Sequence, residues 1–143
     1  MKTISDGQTI NNESFDLTLN KVELTYDVLP DDTGNFYTHY PADQGKVYIN
    51  IDVDIKNNQK QDLRCDKILT VEANYNNGYT YNANSIVEDS KTGFTYSNIT
   101  SITSLETKGM RYLINCPEEV EQSQNPLFLT FNLNGEKYKY VIR

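Results

Sequence analysis

The chain has 143 residues, a formal net charge of -7 at pH 7 and a hydrophobic fraction of 37%. This length fits one domain that buries an adequate core without a metal ion. Its eleven Tyr and five Phe residues favour folding, because disordered chains are poor in aromatic residues. Nucleic acids and anionic membranes need clustered basic residues. The thirteen Lys and Arg residues are scattered, which argues against both partners.

The first residues of the chain are polar, and we predict that residues 1–13 form a disordered leader or linker before a folded domain at 14–143. No hydrophobic signal region follows Met1 and Lys2. No apolar run reaches the roughly 20 residues that span a bilayer. Two interpretations stay open, a cytosolic protein or the mature form of an exported one.

Apolar residues alternate along residues 15–19 and again along 22–26. The phase of this alternation shifts by one residue at Asn20-Lys21. Such a shift is typical of a β-bulge or of a strand that passes from one sheet to another.

The most regular segment runs from Val47 to Lys56, with a β-branched residue at every second position up to Ile55. Period-two alternation predicts a strand whose apolar residues face a core. The same pattern places Asn50, Asp52 and Asp54 in water.

Two hairpins follow from turn residues that tolerate positive φ. The first links residues 69–75 to 79–81 through Asn76-Asn77-Gly78. The second links residues 127–133 to 138–142 through Asn134-Gly135.

Residues 99–103 and 110–115 are further strand candidates, and only residues 117–121 suit a turn of helix. The whole pattern predicts an all-β protein, an immunoglobulin-like antiparallel β-sandwich of about seven to nine strands. A closed barrel would satisfy the same alternation, but the phase shift at Asn20 fits two sheets better.

The two cysteines are candidates for a disulfide. Cys65 precedes one predicted strand and Cys116 ends another. If these strands are antiparallel neighbours, the sulfurs meet and close a loop of about fifty residues, worth about 4 kcal/mol. The alternative is a pair of separate buried thiols.

Three stretches resemble a known family: residues 22–30 and 110–117, each a strand that ends in proline, and residues 45–58, a long strand that closes in an Asn turn. They resemble the immunoglobulin-like (telokin-like) extracellular domains of unknown function in Gram-positive lipoproteins. The resemblance implies export, a lipid anchor upstream of this domain, and a binding or spacer role. It implies no active-site residues. The absence of Trp departs from antibody-type domains.

Catalytic and metal motifs find little support. His39 is the single histidine, and no nucleophile elbow, HExxH helix or phosphate loop is present. The acidic segment from Asp31 to Asn35, with Asp27 and Asp43 nearby, offers oxygen ligands for calcium. It lacks the alternating ligands and closing Glu of a calcium loop. We therefore expect no enzyme activity, no cofactor and no metal.

Tyr75, Tyr79 and Tyr81 flank the first hairpin tip among several Asn residues. Exposed aromatic rings beside amides can bind sugars or a protein partner, whereas tyrosines also pair across ordinary strands. These tyrosines are the candidate ligand-binding residues.

The sequence thus predicts a non-catalytic, monomeric, extracellular module of a bacterial surface lipoprotein, acting in adhesion, spacing or partner recognition. Its partner would be a protein or another cell-surface component, with the membrane reached only through the upstream anchor. The alternative is a glycan- or peptide-binding domain that uses the Tyr-rich hairpin.

Overall fold

The computed structural model describes residues 1–143, which form fifteen strands, one α-helix and two 3-10 helices. The strands in chain order are β1 (Lys2–Thr3), β2 (Thr9–Asn11), β3 (Phe15–Thr25), β4 (Asp27–Val28), β5 (Tyr40–Pro41), β6 (Lys46–Asn57), β7 (Leu63–Arg64), β8 (Thr70–Tyr75), β9 (Tyr79–Asn82), β10 (Asn84–Asp89), β11 (Gly93–Tyr96), β12 (Ser101–Ile102), β13 (Thr107–Pro117), β14 (Leu127–Leu133) and β15 (Glu136–Val141). The helix α1 is Glu119–Gln122, and the 3-10 helices are Cys65–Lys67 and Ser97–Ile99. Nine strands have four or more residues, as predicted.

The strands form two sheets that enclose one core. The first sheet has the order β1-β15-β14-β8-β9, and the second has the order β11-β10-β13-β6-β3-β2. A cluster of 27 buried residues draws side chains from both sheets, so their inner faces pack together. The all-β sandwich class is therefore confirmed. None of the helices combines the length and apolar composition that crossing a membrane requires.

The prediction for the central strand β6 is confirmed for its apolar residues and wrong for two of its polar residues. Val47, Ile49, Ile51, Val53 and Ile55 are fully buried in the core. Two of the residues expected in water, Asn50 and Asp52, are also buried. The prediction for them was wrong because it assumed a bare outer face for the second sheet.

The outer face is covered by the segment between β3 and β6. Val28 and Tyr40 from this segment pack against Phe94 and Leu113 in a separate small apolar cluster. β4 and β5 pair with each other within the same segment. Asn50 and Asp52 on the outer face of β6 therefore lie beneath protein, whereas Lys56 at the end of the same face is exposed.

The phase shift at Asn20 is a β-bulge within one continuous strand. β3 pairs with β6 along its length, and the register shifts between Leu19 and Lys21. Of the two predicted explanations, the bulge is confirmed, and no change of sheet occurs.

Both predicted hairpins are present. Asn76 and Asn77 have φ of 51° and 56°, and Asn134 and Gly135 have φ of 52° and 90°. Asn and Gly adopt this left-handed region at low cost, so these residues set the tight reversals.

The predicted disordered leader at residues 1–13 is wrong, because this segment forms β1 and β2. Ile4 and Ile10 bury their side chains in the common core, and the Ile4 amide donates to the Lys139 carbonyl at 3.0 Å. β1 pairs in parallel with β15, so the sandwich also departs from the purely antiparallel arrangement expected.

The predicted disulfide is wrong as well, since Cys65 and Cys116 are free and buried. The strand after Cys65 is β8, in the first sheet, whereas Cys116 lies on β13 in the second. The two strands are not hydrogen-bonded neighbours, and the pairing argument fails on that point. The alternative of two separate buried thiols is what the structure has.

Candidate functional site

The candidate tyrosines lie on the β8–β9 hairpin at one edge of the first sheet. Tyr75 is paired with Tyr79, and Ala73 is paired with Tyr81. Residues directly opposite each other on antiparallel strands share a face, and Ala73 and Tyr75 are buried in the core. All three tyrosines therefore lie on the inner face of the sheet.

The three tyrosines and the start of α1 enclose a small cavity, which we call the tyrosine pocket. Its volume is about 160 Å³, and its lining is completed by Pro117, Glu119 and Val120. The tyrosines differ in depth, because Tyr75 is buried, Tyr81 is half-buried and Tyr79 is 62% exposed. The pocket thus has a buried base and an exposed aromatic rim.

Tyr75 is fixed in the base of the pocket by its hydroxyl group. That hydroxyl donates to Glu119 Oε2 at 2.9 Å and accepts from Asn125 Nδ2 at 3.2 Å. The Tyr79 ring leans over it, with ring centroids 6.2 Å apart and planes inclined by 44°. The hydrogen bonds tie the hairpin to α1.

The helix α1 is short, yet it is held in place by its surroundings. Val120 is buried in the core, and the Glu118 amide donates to the Gly45 carbonyl at 3.0 Å. The Arg143 guanidinium donates to the carbonyl oxygens of Val120 and Asn125. The wall of the pocket is therefore held by core packing, by a hydrogen bond to the turn before β6 and by Arg143.

Burial raises the pKa of the Tyr81 hydroxyl, and the neighbouring Cys116 and Glu119 raise it further. Tyr81 therefore keeps its proton at neutral pH and acts as a neutral ring with a hydroxyl donor. Glu119 is the only charged side chain in the lining. The pocket is an aromatic site with one negative charge.

A second cluster, not found from the sequence, surrounds Arg111 on β13. Arg111 is 1% exposed and lies opposite Asp52 of β6 on the outer face. Its Nη1 donates to Asp52 Oδ1 at 3.2 Å, and its Nη2 donates to Asp31 Oδ1 at 3.1 Å. Glu88 of β10 also contacts Nη1. The guanidinium thus joins the covering segment to two strands.

The Arg111 cluster carries three carboxylates for one cation. Oxygens of Asp31, Asp52 and Glu88 lie within 4.8 Å of one another. Burial raises the pKa values of Asp52 and Glu88, while Arg111 lowers both. Since the guanidinium already lies among these oxygens, it is the counter-ion that the buried Asp52 and the half-buried Glu88 require, while Asp31 is exposed. The arrangement ties loop and sheet together.

Asp52 and Arg111 occupy polar positions in strands whose residues alternate between apolar and polar, and this pattern predicts that both side chains are exposed to solvent. No spacing motif links Asp31, Asp52, Glu88 and Arg111, so sequence reasoning had no signal to join them. Opposite charges at facing positions of β6 and β13 would have been a signal only once the register was known.

A polar cleft of about 510 Å³ lies beside the Arg111 cluster. Its lining mixes acidic with basic side chains and has no aromatic or branched aliphatic one: Pro30, Asp31, Asp32, Glu88, Asp89, Ser90, Lys91, Gly93, Thr107, Lys108 and Gly109. Such a cleft lacks the hydrophobic and aromatic side chains that line most ligand sites. The tyrosine pocket is the better candidate for recognition.

The candidate calcium ligands are not grouped around one common point, because each is engaged with a different partner. Asp31 belongs to the Arg111 cluster, and Asp32 Oδ1 accepts from the Gly34 amide at 2.9 Å. Asp27 Oδ1 pairs with His39 Nδ1 at 2.7 Å. The acidic residues thus form local hydrogen bonds and ion pairs, and His39 takes part in one of these pairs.

Neither a family model nor a curated protein matches the chain. Solved structures similar to it include three bacterial proteins. An uncharacterised β-sandwich protein from Clostridium difficile 630 is 52% identical, with a TM-score of 0.97 over 99% of this chain and 94% of that one.

The other two structures are distant in sequence. A conserved hypothetical protein from Bacillus anthracis has a TM-score of 0.63 at 16% identity, over 99% of this chain and 95% of that one. The yjhA protein from Bacillus subtilis has a TM-score of 0.51 at 12% identity, over 99% of this chain and 97% of that one. They support the fold alone. The identity and coverage with the Clostridium difficile structure show that the chain belongs to the same family of β-sandwich proteins of unknown function.

Proposed function

We propose that this protein is a non-catalytic recognition module of the bacterial cell surface, carried by a lipoprotein, and that it binds its partner through the tyrosine pocket. The observation that carries the proposal is the gathering of Tyr75, Tyr79 and Tyr81 with Glu119 around one open cavity. Tyrosine is enriched at protein interfaces because its ring gives large contact area at low entropy cost.

The pocket's preformed base supports a binding role. Tyr75 is held by two hydrogen bonds, so a ligand need not order it. Preorganised contact groups lose less entropy on binding. Tyr79 remains 62% exposed in the free protein, which leaves an aromatic surface that a partner would cover.

The proposed surface location is supported by the resemblance to lipoprotein domains, and the proposed kind of partner is supported by the net charge. A net charge of -7 disfavours nucleic acid and agrees with a partner that presents cationic or neutral groups. In this proposal the sandwich projects the hairpin from the cell surface, and contact with the membrane is left to an anchor outside the domain.

The test measures binding of the labelled protein to isolated envelope fragments of a Gram-positive bacterium. We expect saturable binding that the double substitution Tyr79→Ala with Tyr81→Ala abolishes. The matched control is Tyr96→Ala, because Tyr96 is also exposed but lies on β11 in the other sheet. Equal loss in the control, or undiminished binding by the double variant, would overturn the proposal.

Glycan binding at the same hairpin is a second candidate. The exposed Tyr79 ring lies beside the turn residues Asn76 and Asn77, which are exposed as well. Aromatic faces with amide neighbours suit sugar rings and their hydroxyls. Competition by soluble cell-wall oligosaccharides for envelope binding would favour this candidate, and failure of every oligosaccharide to compete would favour a protein partner.

A further inference from the structure

The lining of the tyrosine pocket has the composition of an aromatic cage. Three tyrosines, one proline and one valine surround a single carboxylate, that of Glu119. The cavity of about 160 Å³ has the size of about five water molecules, at roughly 30 Å³ each. It therefore suits one small head group and not a length of chain.

The charge around the pocket favours a cation. Glu118 and Glu121 accompany Glu119 on the turn that forms α1. The lining itself contains no basic side chain. Two cations lie near it, Lys46 opposite Pro117 in the β6–β13 ladder and Arg143, which donates to backbone carbonyls, so the three glutamates outnumber the cations. A cation above tyrosine faces is attracted by the ring quadrupole, and the attraction grows when water is excluded.

The predominance of ring surface over charged acceptors favours a methylated cation. A primary ammonium group has three N–H donors that need acceptors when buried, and the one carboxylate of the lining, Glu119, already accepts the Tyr75 hydroxyl at Oε2. A quaternary ammonium donates no hydrogen bond and presents methyl groups to the rings.

We propose that the tyrosine pocket binds a quaternary ammonium head group of the choline type, with Tyr79 and Tyr81 facing its methyl groups and Glu119 balancing its charge. This inference rests on the proposed function, because it names the ligand chemistry of the same site.

The test is a titration of the isotope-labelled protein, followed by amide chemical shifts, with choline, its uncharged carbon isostere dimethylbutanol, and ethanolamine. We expect saturable shifts at Tyr79, Tyr81 and Val120 with choline, and affinities about tenfold weaker for the other two. The proposal is overturned by equal affinity for dimethylbutanol, by equal or tighter binding of ethanolamine, or by no saturable shift with choline.

Variants assign the contacts. Tyr79→Ala should weaken choline binding about tenfold, whereas Tyr79→Phe keeps the ring and should bind nearly as the native protein does. Glu119→Gln removes the charge but keeps an oxygen that can accept from Tyr75, and it should also weaken binding. Tyr96→Ala is the control that should change nothing. Tyr79 is mostly exposed, so its truncation leaves the core intact.

Failure of this inference can be told apart from failure of the proposed function. If choline does not bind but envelope binding still requires Tyr79 and Tyr81, the recognition role stands and the ligand chemistry is wrong. If choline binds at the pocket while envelope binding ignores the same substitutions, the ligand chemistry stands and the recognition role is wrong.

Discussion

Arg111 has a buried side chain whose charge is balanced within the protein. Its guanidinium contacts the exposed Asp31, the buried Asp52 and the half-buried Glu88. Its removal would leave the charges of Asp52 and Glu88 poorly solvated and without a cation. Removing one partner of a buried ion pair typically costs 3–5 kcal/mol, because the other charge stays buried.

We therefore predict that Arg111→Met lowers the free energy of unfolding by about 3–5 kcal/mol, measured by urea denaturation. The matched control is Arg64→Met, because Arg64 forms an exposed pair with Asp66 at 3.0 Å. Exposed pairs contribute about 1 kcal/mol or less. Equal destabilisation by the two substitutions would contradict the account of the cluster.

Asp52 gives the same cluster a pH dependence. Burial raises its pKa above the ordinary value of 3.8, against the lowering effects of Asn20 and Arg111. Above pH 3.8, up to the raised pKa, the folded protein therefore binds more protons than the unfolded chain. The contribution of Asp52 to the free energy of unfolding accordingly falls as pH rises through this window.

We predict that the free energy of unfolding of Asp52→Asn, minus that of the native protein, increases from about pH 3 to about pH 7, because the substitution removes this titration. Urea denaturation of both proteins at the two pH values measures the change. A difference that is constant with pH, or that moves in the opposite direction, would show that Asp52 titrates no differently in the two states.

The segment over the outer face is attached to the sheet at Gly93, the first residue of β11. A Cβ at this position would lie 2.7 Å from the Thr38 nitrogen and 2.9 Å from the Thr38 oxygen. Thr38 also donates from its amide to the Thr92 carbonyl at 2.8 Å. Only glycine allows this close approach of two backbones.

We predict that Gly93→Ala destabilises the protein more than Gly135→Ala does. Both glycines have positive φ, +89° and +90°, but a Cβ at Gly135 would meet nothing within 4 Å. Gly135→Ala should therefore cost about 1–2 kcal/mol for the left-handed conformation alone, and Gly93→Ala about 1–3 kcal/mol more for the clash. Thermal unfolding of both variants makes the comparison, and equal losses would refute the close contact.

The core of the whole sandwich contains both cysteines. Burial raises the pKa of Cys65 to about 11 and that of Cys116 to about 12. Since the thiolate is the reactive form, neither residue should react in the folded protein.

We predict that iodoacetamide modifies both cysteines only as the protein unfolds, with the two rates rising together in urea. Intact mass after denaturing alkylation without reductant should show two adducts. A protein with no adducts and the mass of an intramolecular disulfide would contradict the structure. Fast native reaction of one thiol would show that its burial is wrong.

The fold of the molecule was largely predictable, because one-sided burial leaves a regular trace in sequence. The alternation from Val47 to Ile55, the bulge after Leu19 and the Asn-Gly turn at Asn134 all follow from local chemistry. The pairing of β1 with β15 does not, since the few apolar residues of the first segment give no period.

The three tyrosines could be chosen from the sequence because they lie close together along the chain. Their partner Glu119 could not, because it is brought to Tyr75 by the packing of two sheets. The same holds for Arg111 and for the covering segment that made Asp52 a buried residue. Contacts between distant strands depend on sheet order, which the alternation leaves open.

The central claim is that the tyrosine pocket, and not the polar cleft, is the contact site. The most direct measurement is amide line broadening in the isotope-labelled protein on addition of envelope fragments. The account predicts the strongest broadening at residues 75–81 and 118–120, and broadening of the cleft residues 31–32, 88–91 and 107–109 no greater than that of the rest of the protein. Broadening centred on the cleft residues, or none at all, would contradict it.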